Sequence, residues 1–178
     1  MFKKIQVGSS TQLKSSAVRG LKASVVEQYP ALAQIIDEMV PKKGTPVYSI
    51  KCQNPRGTLY SVRDEILFVQ PKNDLIFPTL RVAMQYPGMM KSVTVDKGTI
   101  RAALKGANIM APGLTSEGGS IEGDIPAGTP VVIHVEGKSQ PIAVGKMELS
   151  ADTIRAEKTG VAIISVTFLG DGLWKHEK

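Results

Sequence analysis

The spacing of apolar residues changes near residue 92, and this change limits the folds that the chain can adopt. Before that point, apolar residues recur with the period of helices and are followed by short strands. After it, brief apolar runs are separated by Gly and Pro at short intervals, which is typical of small, mostly-β units. The 178 residues are enough for two small domains. We therefore expect one domain over residues 1–92 and a second over residues 93–178.

The first half predicts an α+β domain. Apolar residues at helical spacing predict one helix from Leu13 to Tyr29, with Lys14 and Lys22 facing away from the core, and a second from Leu32 to Val40. Three strands follow, and then a short helix whose first residue is Pro78. The strands are expected at Val47–Cys52, Thr58–Val62 and Ile66–Gln70, separated by turns at residues 54–57 and 63–65.

The second half predicts a small barrel of short strands. Asp96 is placed to cap a helix, because a carboxylate accepts hydrogen bonds from the free N–H groups at a helix start. Gly106 is expected to end that helix, and Ser150 to cap a later one. The buried side of the first helix is expected to carry Ile100, Ala103, Leu104 and Ala107. Strands are expected at Val93–Val95, Gly119–Ile121, Val131–Glu136, Ile142–Leu149 and Val161–Leu169.

Positive charge is concentrated in the first half of the chain. Residues 1–92 hold thirteen Lys and Arg against six Asp and Glu, a net charge of +7, whereas residues 93–178 hold nine against ten, a net charge of −1. The first half therefore attracts polyanions, and the second half must rely on local patches if it binds them. The alternative is that these charges serve only solubility.

The residue types that carry catalysis and metal binding are scarce and scattered. His134 lies within a predicted strand, His176 lies near the end of the chain, and Cys52 is the single cysteine. These residues do not have the spacing of a zinc site, and no nucleotide-binding glycine motif is present. We expect no catalytic residue, no metal and no cofactor. One cysteine, no long apolar run and no secretory signal lead us to expect a cytoplasmic protein that does not enter membranes.

A basic stripe precedes a glycine-containing segment at the start of the second half. Lys97, Arg101 and Lys105 recur every four residues, so an α-helix would project all three from one face. Residues 106–116 follow directly, and their glycines allow the main chain to approach a ligand closely. Because cations neutralise phosphates, the arrangement suits a nucleic-acid backbone. The alternative is an exposed helix face followed by an ordinary turn.

The same region resembles the signature of a PUA domain, an RNA-binding module. The resemblance rests on residues 95–98, 106–110 and 112–116, which read VDKG, GANIM and PGLTS. Within that superfamily the chain closely resembles the malignant T-cell-amplified sequence (MCT) proteins, over essentially its whole length. Further segments that resemble this family are Met1–Lys4, Gln28–Pro30, Pro41–Lys43, Pro78–Arg81 and Asp171–Trp174.

The resemblance implies a fold and a function. The fold is an α+β N-terminal domain followed by a mostly-β PUA domain, a small pseudo-barrel with short helices. The function is that of a non-catalytic translation factor, which pairs with density-regulated protein, binds the small ribosomal subunit, releases deacylated tRNA and promotes reinitiation. In that scheme the first domain contacts ribosomal RNA and the PUA domain approaches the tRNA acceptor end. Two alternatives stay open: an accessory protein that binds tRNA away from the ribosome, and a protein-interaction module with an apolar main surface.

The stripe and the resemblance together define the residues expected at an RNA interface. Lys97, Arg101 and Lys105 are the expected phosphate contacts. Met110 and Leu114 are candidates for contact with a base, although both are more simply explained by packing in the core. The main chain of Gly106, Ala107, Asn108, Pro112 and Gly113 is expected to line a slot for a single-stranded RNA end. A further candidate is Lys146, and the candidates for ribosomal RNA are Lys3, Lys4, Lys42 and Lys43.

Overall fold

Two five-stranded sheets, one in each half of the chain, form the framework of this computed structural model, which describes residues 1–176. Residues 177 and 178, the last two of the expected second domain, lie outside the described residues. Helices accompany the first sheet, and short helical turns interrupt the strands of the second. The expected fold class, an α+β unit followed by a mostly-β unit, is confirmed.

Sheet A is antiparallel throughout, and its strands follow one another in chain order. The three strands and both turns predicted between residues 47 and 71 are present. Arg63 and Asp64 both have positive φ, at 51° and 64°, as the tight turn between the third and fourth strands requires. The strands are β1 (Gln6–Gln12), β2 (Val47–Asn54), β3 (Arg56–Val62), β4 (Glu65–Pro71) and β5 (Phe77–Pro78).

The edge strand β1 was not predicted from the sequence. Six of its seven residues are exposed and the seventh is half-buried, so its side chains show no alternation between core and solvent. The backbone pairing of β1 with β2 includes two register shifts. A strand that is held by its ladder of hydrogen bonds, and not by a buried face, leaves no apolar pattern to detect.

The first predicted helix is confirmed as α1 (Ser15–Gln28), but one of its lysines is buried. Lys22 was expected to face away from the core; it is 7% exposed, and its Nζ lies 2.9 Å from Asp37 Oδ1. The second predicted helix is divided into a 3₁₀ turn, Pro30–Leu32, and a single α-helical turn, α2 (Ile36–Met39). Asp37 of this turn supplies the carboxylate that compensates for the burial of the Lys22 ammonium.

One helix end and one helix start show how side chains fix the backbone near sheet A. The Tyr29 hydroxyl donates to the Ile76 carbonyl at 2.6 Å, and Gln28 Oε1 accepts from the Ile76 N–H at 3.0 Å. The end of α1 therefore fixes the backbone of Ile76, the residue before β5. Pro78 was expected to open a helix, but it pairs with Phe68 as the end of β5. The helix, α3 (Leu80–Gln85), begins after the buried Thr79, whose hydroxyl donates to the Ile66 carbonyl.

Sheet B curls around the core of the second half, in the strand order β6-β8-β9-β10-β7. The pairing of β6 with β8 is parallel and the other pairings are antiparallel. The predicted cap at Ser150 is confirmed, since its Oγ accepts from the Thr153 N–H at the start of α6 (Ala151–Glu157). The strands are β6 (Lys91–Val95), β7 (Ile109–Met110), β8 (Pro130–Val135), β9 (Ala143–Met147) and β10 (Val161–Phe168).

The two halves share one apolar cluster, which we call the junction core. It joins the face of sheet A that points away from α1 to strands β8, β9 and β10 of sheet B, and α3 lies between them. The backbone of Phe2 is bonded to the second half on both sides: its N–H donates to the Val166 carbonyl, and its carbonyl accepts from the Gly172 N–H. The buried members include Phe2, Ile50, Leu59, Val69, Phe77, Leu80, Val132, Val144, Val166 and Leu173.

Polar contacts reinforce the junction core at its rim. The Arg81 guanidinium lies 4.0 Å from the centroid of the Trp174 ring and donates to the Trp174 carbonyl at 3.1 Å. Asp171, which is buried, accepts from Thr167 Oγ1 and from the Phe168 and Trp174 N–H groups, and so fixes the turn that presents Trp174. Two of the segments that resemble the MCT family, 78–81 and 171–174, therefore meet in space.

Candidate nucleic-acid interface

A row of exposed cations, which we call the basic edge, follows β6. It consists of Lys97, Arg101 and Lys105. All three side chains are exposed, and within residues 1–176 none of them forms an ion pair with a carboxylate. Their charges are therefore available to an anion from solution.

The backbone under the basic edge differs from the continuous α-helix that the four-residue spacing predicted. Lys97 lies in a 3₁₀ turn, Lys97–Thr99, and Arg101 in a single α-helical turn, α4 (Ile100–Ala103). Lys105 follows α4, and its N–H donates to the Ala102 carbonyl three residues back. Because a 3₁₀ turn has about three residues, a spacing of four does not keep all three side chains on one helix face.

Asp96 organises the start of the basic edge, as the sequence predicted. Its Oδ1 accepts from the Thr99 N–H at 2.8 Å and from the Thr99 hydroxyl at 2.9 Å, and its Oδ2 accepts from the Ser116 hydroxyl. The hydrogen bond from Ser116, followed by those from Thr99, holds the pKa of the Asp96 carboxyl below its ordinary value. The carboxylate thus connects the basic edge to the segment that follows β7.

The turn at residues 106–108 continues from the basic edge. Gly106 has φ +83°, and a Cβ on it would lie 2.7 Å from Cε1 of Phe168, so the helical segment ends there as predicted. Ala107 and Asn108 are exposed, and the Asn108 side chain is anchored because its Oδ1 accepts from the Ser165 N–H at 3.1 Å. The main chain at 107 and 108 is accessible to a ligand.

Two apolar side chains that were expected in the core, and that lie close to Lys105 in the sequence, are exposed on the surface. Met110 is 47% exposed and Leu104 is 39% exposed, and Ala107 of the expected buried stripe is also exposed. Met110 lies on β7, where Ile109 points into the core and Met110 therefore points outward. The sequence interpretation that Met110 is a packing residue was wrong, and the alternation across this two-residue strand is the signal that could have corrected it.

The segment after β7 is only partly accessible. Pro112 is exposed as the first residue of α5 (Pro112–Thr115), but Gly113 and Leu114 are buried. The Gly113 carbonyl accepts from the Asp96 N–H at 2.9 Å, and Leu114, 2% exposed, belongs to the core of sheet B. Gly113 and Leu114 therefore do not line a surface slot; they hold α5 against β6.

Lys146 was expected as a further RNA contact, and the structure gives it a different environment. Its Nζ lies 2.7 Å from Asp74 Oδ2, and both side chains are largely buried. This ion pair connects β9 of sheet B to the loop between β4 and β5 of sheet A. Lys146 contributes to the junction between the two halves, and its charge is already neutralised.

The four lysines proposed to face ribosomal RNA lie in two separate places. Lys3 and Lys4 are exposed before β1, next to the point where Phe2 enters the junction core. Lys42 and Lys43 are exposed in the loop between α2 and β2. Lys42 Nζ lies 2.9 Å from Asp37 Oδ2, the carboxylate that also binds Lys22, so the charge of Lys42 is partly compensated.

Two residues with reactive side chains, His134 and Cys52, lie on different sheets. His134 lies half-buried on β8, and burial lowers the pKa of its imidazole. Cys52 is buried in the junction core, and burial raises the pKa of its thiol. Among residues 1–176, no three His, Cys, Asp or Glu side chains are grouped to hold a metal ion. In the same part of the chain, no helix is long and apolar enough to cross a membrane.

Comparison with known proteins gives the family. Residues 2–87 match the Pre-PUA-like domain, and residues 91–168 match the PUA domain. Translation machinery-associated protein 20 of Schizosaccharomyces pombe is 41% identical, with 98% of each chain covered. Malignant T-cell-amplified sequence 1 homolog of Dictyostelium discoideum is 40% identical, and malignant T-cell-amplified sequence 2 of Homo sapiens is 38% identical. Each of these two comparisons covers 98% of this chain and 97% of the relative.

Solved structures share the fold at lower sequence identity. A hypothetical protein of Pyrococcus horikoshii superposes with a TM-score of 0.71 at 24% identity, covering 94% of this chain and 98% of that one. A conserved PUA domain protein of Thermoplasma acidophilum superposes with a TM-score of 0.66 at 21% identity, with the same coverage. The PUA domain and the names of the relatives support a translation-related, RNA-binding role. Because the similarity extends over nearly the whole of both domains, the chain belongs to the malignant T-cell-amplified sequence family, in which a Pre-PUA-like domain precedes a PUA domain.

Proposed function

We propose that this protein is a non-catalytic translation factor that binds the small ribosomal subunit together with a partner of the density-regulated protein type. In this role it promotes release of deacylated tRNA and reinitiation of translation in the cytoplasm. The observation that carries the proposal is the exposed basic edge, followed in the sequence by the exposed Met110, in a PUA domain; a relative of the chain is named for the translation machinery. The proposal assigns no reaction, metal or cofactor to the chain.

The chemistry of this surface suits the end of a single-stranded RNA. Lys97, Arg101 and Lys105 bind phosphates, and the exposed main chain at Ala107, Asn108 and Pro112 allows the strand to approach closely. Unpaired bases have exposed faces, and Met110 offers an apolar, polarizable contact to one of them. We propose that the tRNA acceptor end is the strand bound here, with residues 93–178 as the PUA unit that binds it.

The first domain, residues 1–92, is the proposed ribosomal RNA side of the protein. Its net charge of +7 provides long-range attraction to a polyanion. Lys3, Lys4 and Lys43 are exposed lysines of this half that can contribute to that attraction, and Lys42 contributes less because of its ion pair with Asp37. If the first domain binds ribosomal RNA, the PUA domain can bind tRNA on the same ribosomal subunit.

Co-sedimentation with purified small ribosomal subunits across a salt series tests the proposal. We expect pelleting that weakens as salt rises, is strengthened by the partner protein and survives moderate concentrations of free tRNA. Failure to pellet at low salt with the partner present, together with tight binding of free tRNA, would instead support an accessory protein that acts on tRNA away from the ribosome. A partner complex that resists salt while RNA binding is negligible would support a protein-interaction module.

A further inference from the structure

One face of sheet A is only half covered by helices. On that face, α1 and α2 pack over Val47, Val62 and Phe68, the half nearest the turn between β3 and β4. Towards the opposite ends of the same strands, the residues on this face are polar or cationic and remain accessible. The open half forms a shallow groove with a volume of about 800 Å³.

The strand register sets the side chains of this groove in two rows. Lys51 lies opposite Thr58, and Thr58 lies opposite Gln70, so the first row crosses three neighbouring strands. In the second row, Gln53 lies opposite Arg56, and the Lys72 N–H donates to the Arg56 carbonyl at 3.0 Å. Because residues two apart on a strand share a face, both rows project from the same side of the sheet.

The groove has an excess of uncompensated positive charge. Lys51, Arg56 and Lys72 are exposed, and within residues 1–176 none of the three forms an ion pair. None of the residues that line the groove carries a carboxylate. The nearest acid along the chain from Lys72 is Asp74, and its carboxylate is already paired with Lys146. The groove therefore presents three charges to an anionic partner.

We propose that this groove binds the phosphate backbone of RNA and is the main ribosomal RNA contact of the first domain. Arg56 offers a forked donor for phosphate oxygens, Lys51 and Lys72 offer point charges, and Thr58 adds a neutral polar group. The groove is open to solvent, and its lining carries three cations and no carboxylate. An extended polyanion with repeated charges is the ligand that these features fit, and its base sequence is not read.

This inference rests on the proposed function for the identity of the RNA, and it differs from the earlier expectation in the residues that it names. Of the four lysines expected from the sequence, Lys42 is partly neutralised by Asp37, and the pairs 3–4 and 42–43 lie on separate loops. The groove instead gathers three free cations on one rigid, hydrogen-bonded platform.

The test compares two variants of the full chain that each lose three positive charges. The groove variant carries Lys51→Gln, Arg56→Gln and Lys72→Gln. The control carries Lys14→Gln, Arg19→Gln and Lys138→Gln, which are exposed cations outside the groove. Binding of polyuridylate is measured by fluorescence anisotropy from low to moderate salt, and thermal unfolding establishes that both variants are folded.

We expect the groove variant to bind polyuridylate at least about tenfold more weakly than the control near 0.1 M salt. Its slope of log K against log salt should be shallower by about 2, since each phosphate contact with a single strand contributes about 0.7. Equal affinities and equal slopes for the two variants would overturn the proposal. So would a groove variant that loses binding to polyglutamate but retains binding to polyuridylate, because the site would then be specific for an acidic protein.

Co-sedimentation with small ribosomal subunits separates this inference from the function on which it rests. If the unmodified chain and the control pellet with the subunits but the groove variant does not, the result supports both the proposed function and the groove as its ribosomal RNA contact. If the groove variant pellets as the unmodified chain does, the proposed function stands and the groove is excluded as the ribosomal contact. If the unmodified chain does not pellet with its partner, the proposed function fails, and the polyuridylate slopes still decide whether the groove binds RNA.

Discussion

At the scale of single residues, Asp96 has a structural role with a clear pH signature. It caps the 3₁₀ turn Lys97–Thr99 and also accepts a hydrogen bond from Ser116, the residue that follows α5. Its folded pKa is lower than that of an unfolded Asp, because these hydrogen bonds favour the charged form. The stability that it contributes is therefore present above the unfolded pKa of about 4 and is lost as the pH falls through the lower folded pKa.

We predict that Asp96→Ala lowers the free energy of unfolding at pH 7 by about 1 to 2 kcal/mol, the range of a lost N-cap. Asp96→Asn should lose less at pH 7, since an amide oxygen also caps, but it should remove the pH dependence that Asp96 contributes below pH 4. Urea unfolding at pH 7 and at pH 3 measures both effects. Ser116→Ala is the control for the second hydrogen bond, and an Asp96→Ala variant as stable as the unmodified chain would contradict the assignment.

Replacement of Gly106 should destabilise the turn that follows the basic edge. Its positive φ costs a residue with a Cβ about 1 to 2 kcal/mol, and the added Cβ would also meet the ring of Phe168 at 2.7 Å. We predict that Gly106→Ala lowers the free energy of unfolding by at least about 2 kcal/mol, as measured with urea. Gly137→Ala is a matched control, because Gly137 has φ +73° with no atom within 4 Å of the added Cβ. Equal losses for the two variants would show that the Phe168 contact has no effect.

At the scale of elements, the cations of the basic edge and the exposed Met110 side chain should contribute to RNA binding in different ways. Ionic contacts depend on salt, whereas an apolar contact with a base does not. We predict that Lys97→Ala, Arg101→Ala and Lys105→Ala together make the salt slope for a single-stranded oligoribonucleotide shallower by about 2 without unfolding the domain. Met110→Ala should leave that slope unchanged and weaken binding about fivefold at every salt concentration, which corresponds to about 1 kcal/mol.

Fluorescence anisotropy titrations of these variants with the oligoribonucleotide, over a range of salt concentrations, give both the affinity and the salt slope. Val7→Ala is the control for Met110, since Val7 is also an exposed apolar residue but lies on β1, in the other half of the chain. Unchanged affinity and unchanged slope in the triple variant would exclude the basic edge from the interface. A Met110→Ala variant that changes only the slope would mean that Met110 acts through the neighbouring cations.

The elements also show which parts of the structure the sequence could predict. Periodicity and turn residues correctly located α1 and strands β2 to β4, and the caps at Asp96 and Ser150 followed from side-chain chemistry alone. The strand β1 could not be found, because six of its residues are exposed and no buried face marks it. The four-residue spacing of the basic edge suggested an α-helix, but local 3₁₀ geometry depends on contacts that the spacing does not contain.

Contacts between distant parts of the chain limited the prediction of the site. Lys22 and Lys146 looked like surface charges until the folded chain brought Asp37 and Asp74 to them. Gly113 was expected to line an accessible slot, but its carbonyl bonds to the Asp96 N–H and the residue is buried. Leu114, for which core packing was the simpler explanation, is buried as well. The cations of the groove are separated along the chain. The register of β2, β3 and β4, together with the hydrogen bond from the Lys72 N–H to the Arg56 carbonyl, brings Lys51 and Lys72 to the same groove.

At the scale of the whole molecule, the junction core couples the two domains. Its residues come from both sheets, and the ion pair of Lys146 with Asp74 and the stacking of Arg81 on Trp174 lie at its rim. Two domains with a shared core lose part of their burial if either unfolds alone. The surfaces proposed for tRNA and for ribosomal RNA are therefore held at a fixed separation and orientation.

We predict that the chain unfolds in one cooperative transition. Trp174, the single tryptophan, reports the junction by fluorescence, while far-ultraviolet circular dichroism reports both sheets, and the two curves should coincide. Leu80→Ala, in the junction core, should lower the free energy of unfolding by about 2 to 5 kcal/mol and shift both curves together. Separate midpoints for the two signals in the unmodified chain would show that the domains unfold independently.

The position of Phe2 affects the order in which the parts of the chain can fold during translation. Phe2 leaves the ribosome long before its backbone partners, Val166 and Gly172, which are made more than 160 residues later. Strands β2 to β4 can pair while the chain is still growing, because they are neighbours in sequence. The junction core cannot close until β10 and the turn after it emerge. We therefore expect the nascent first domain to expose an apolar face that chaperones can bind, until the second domain covers it.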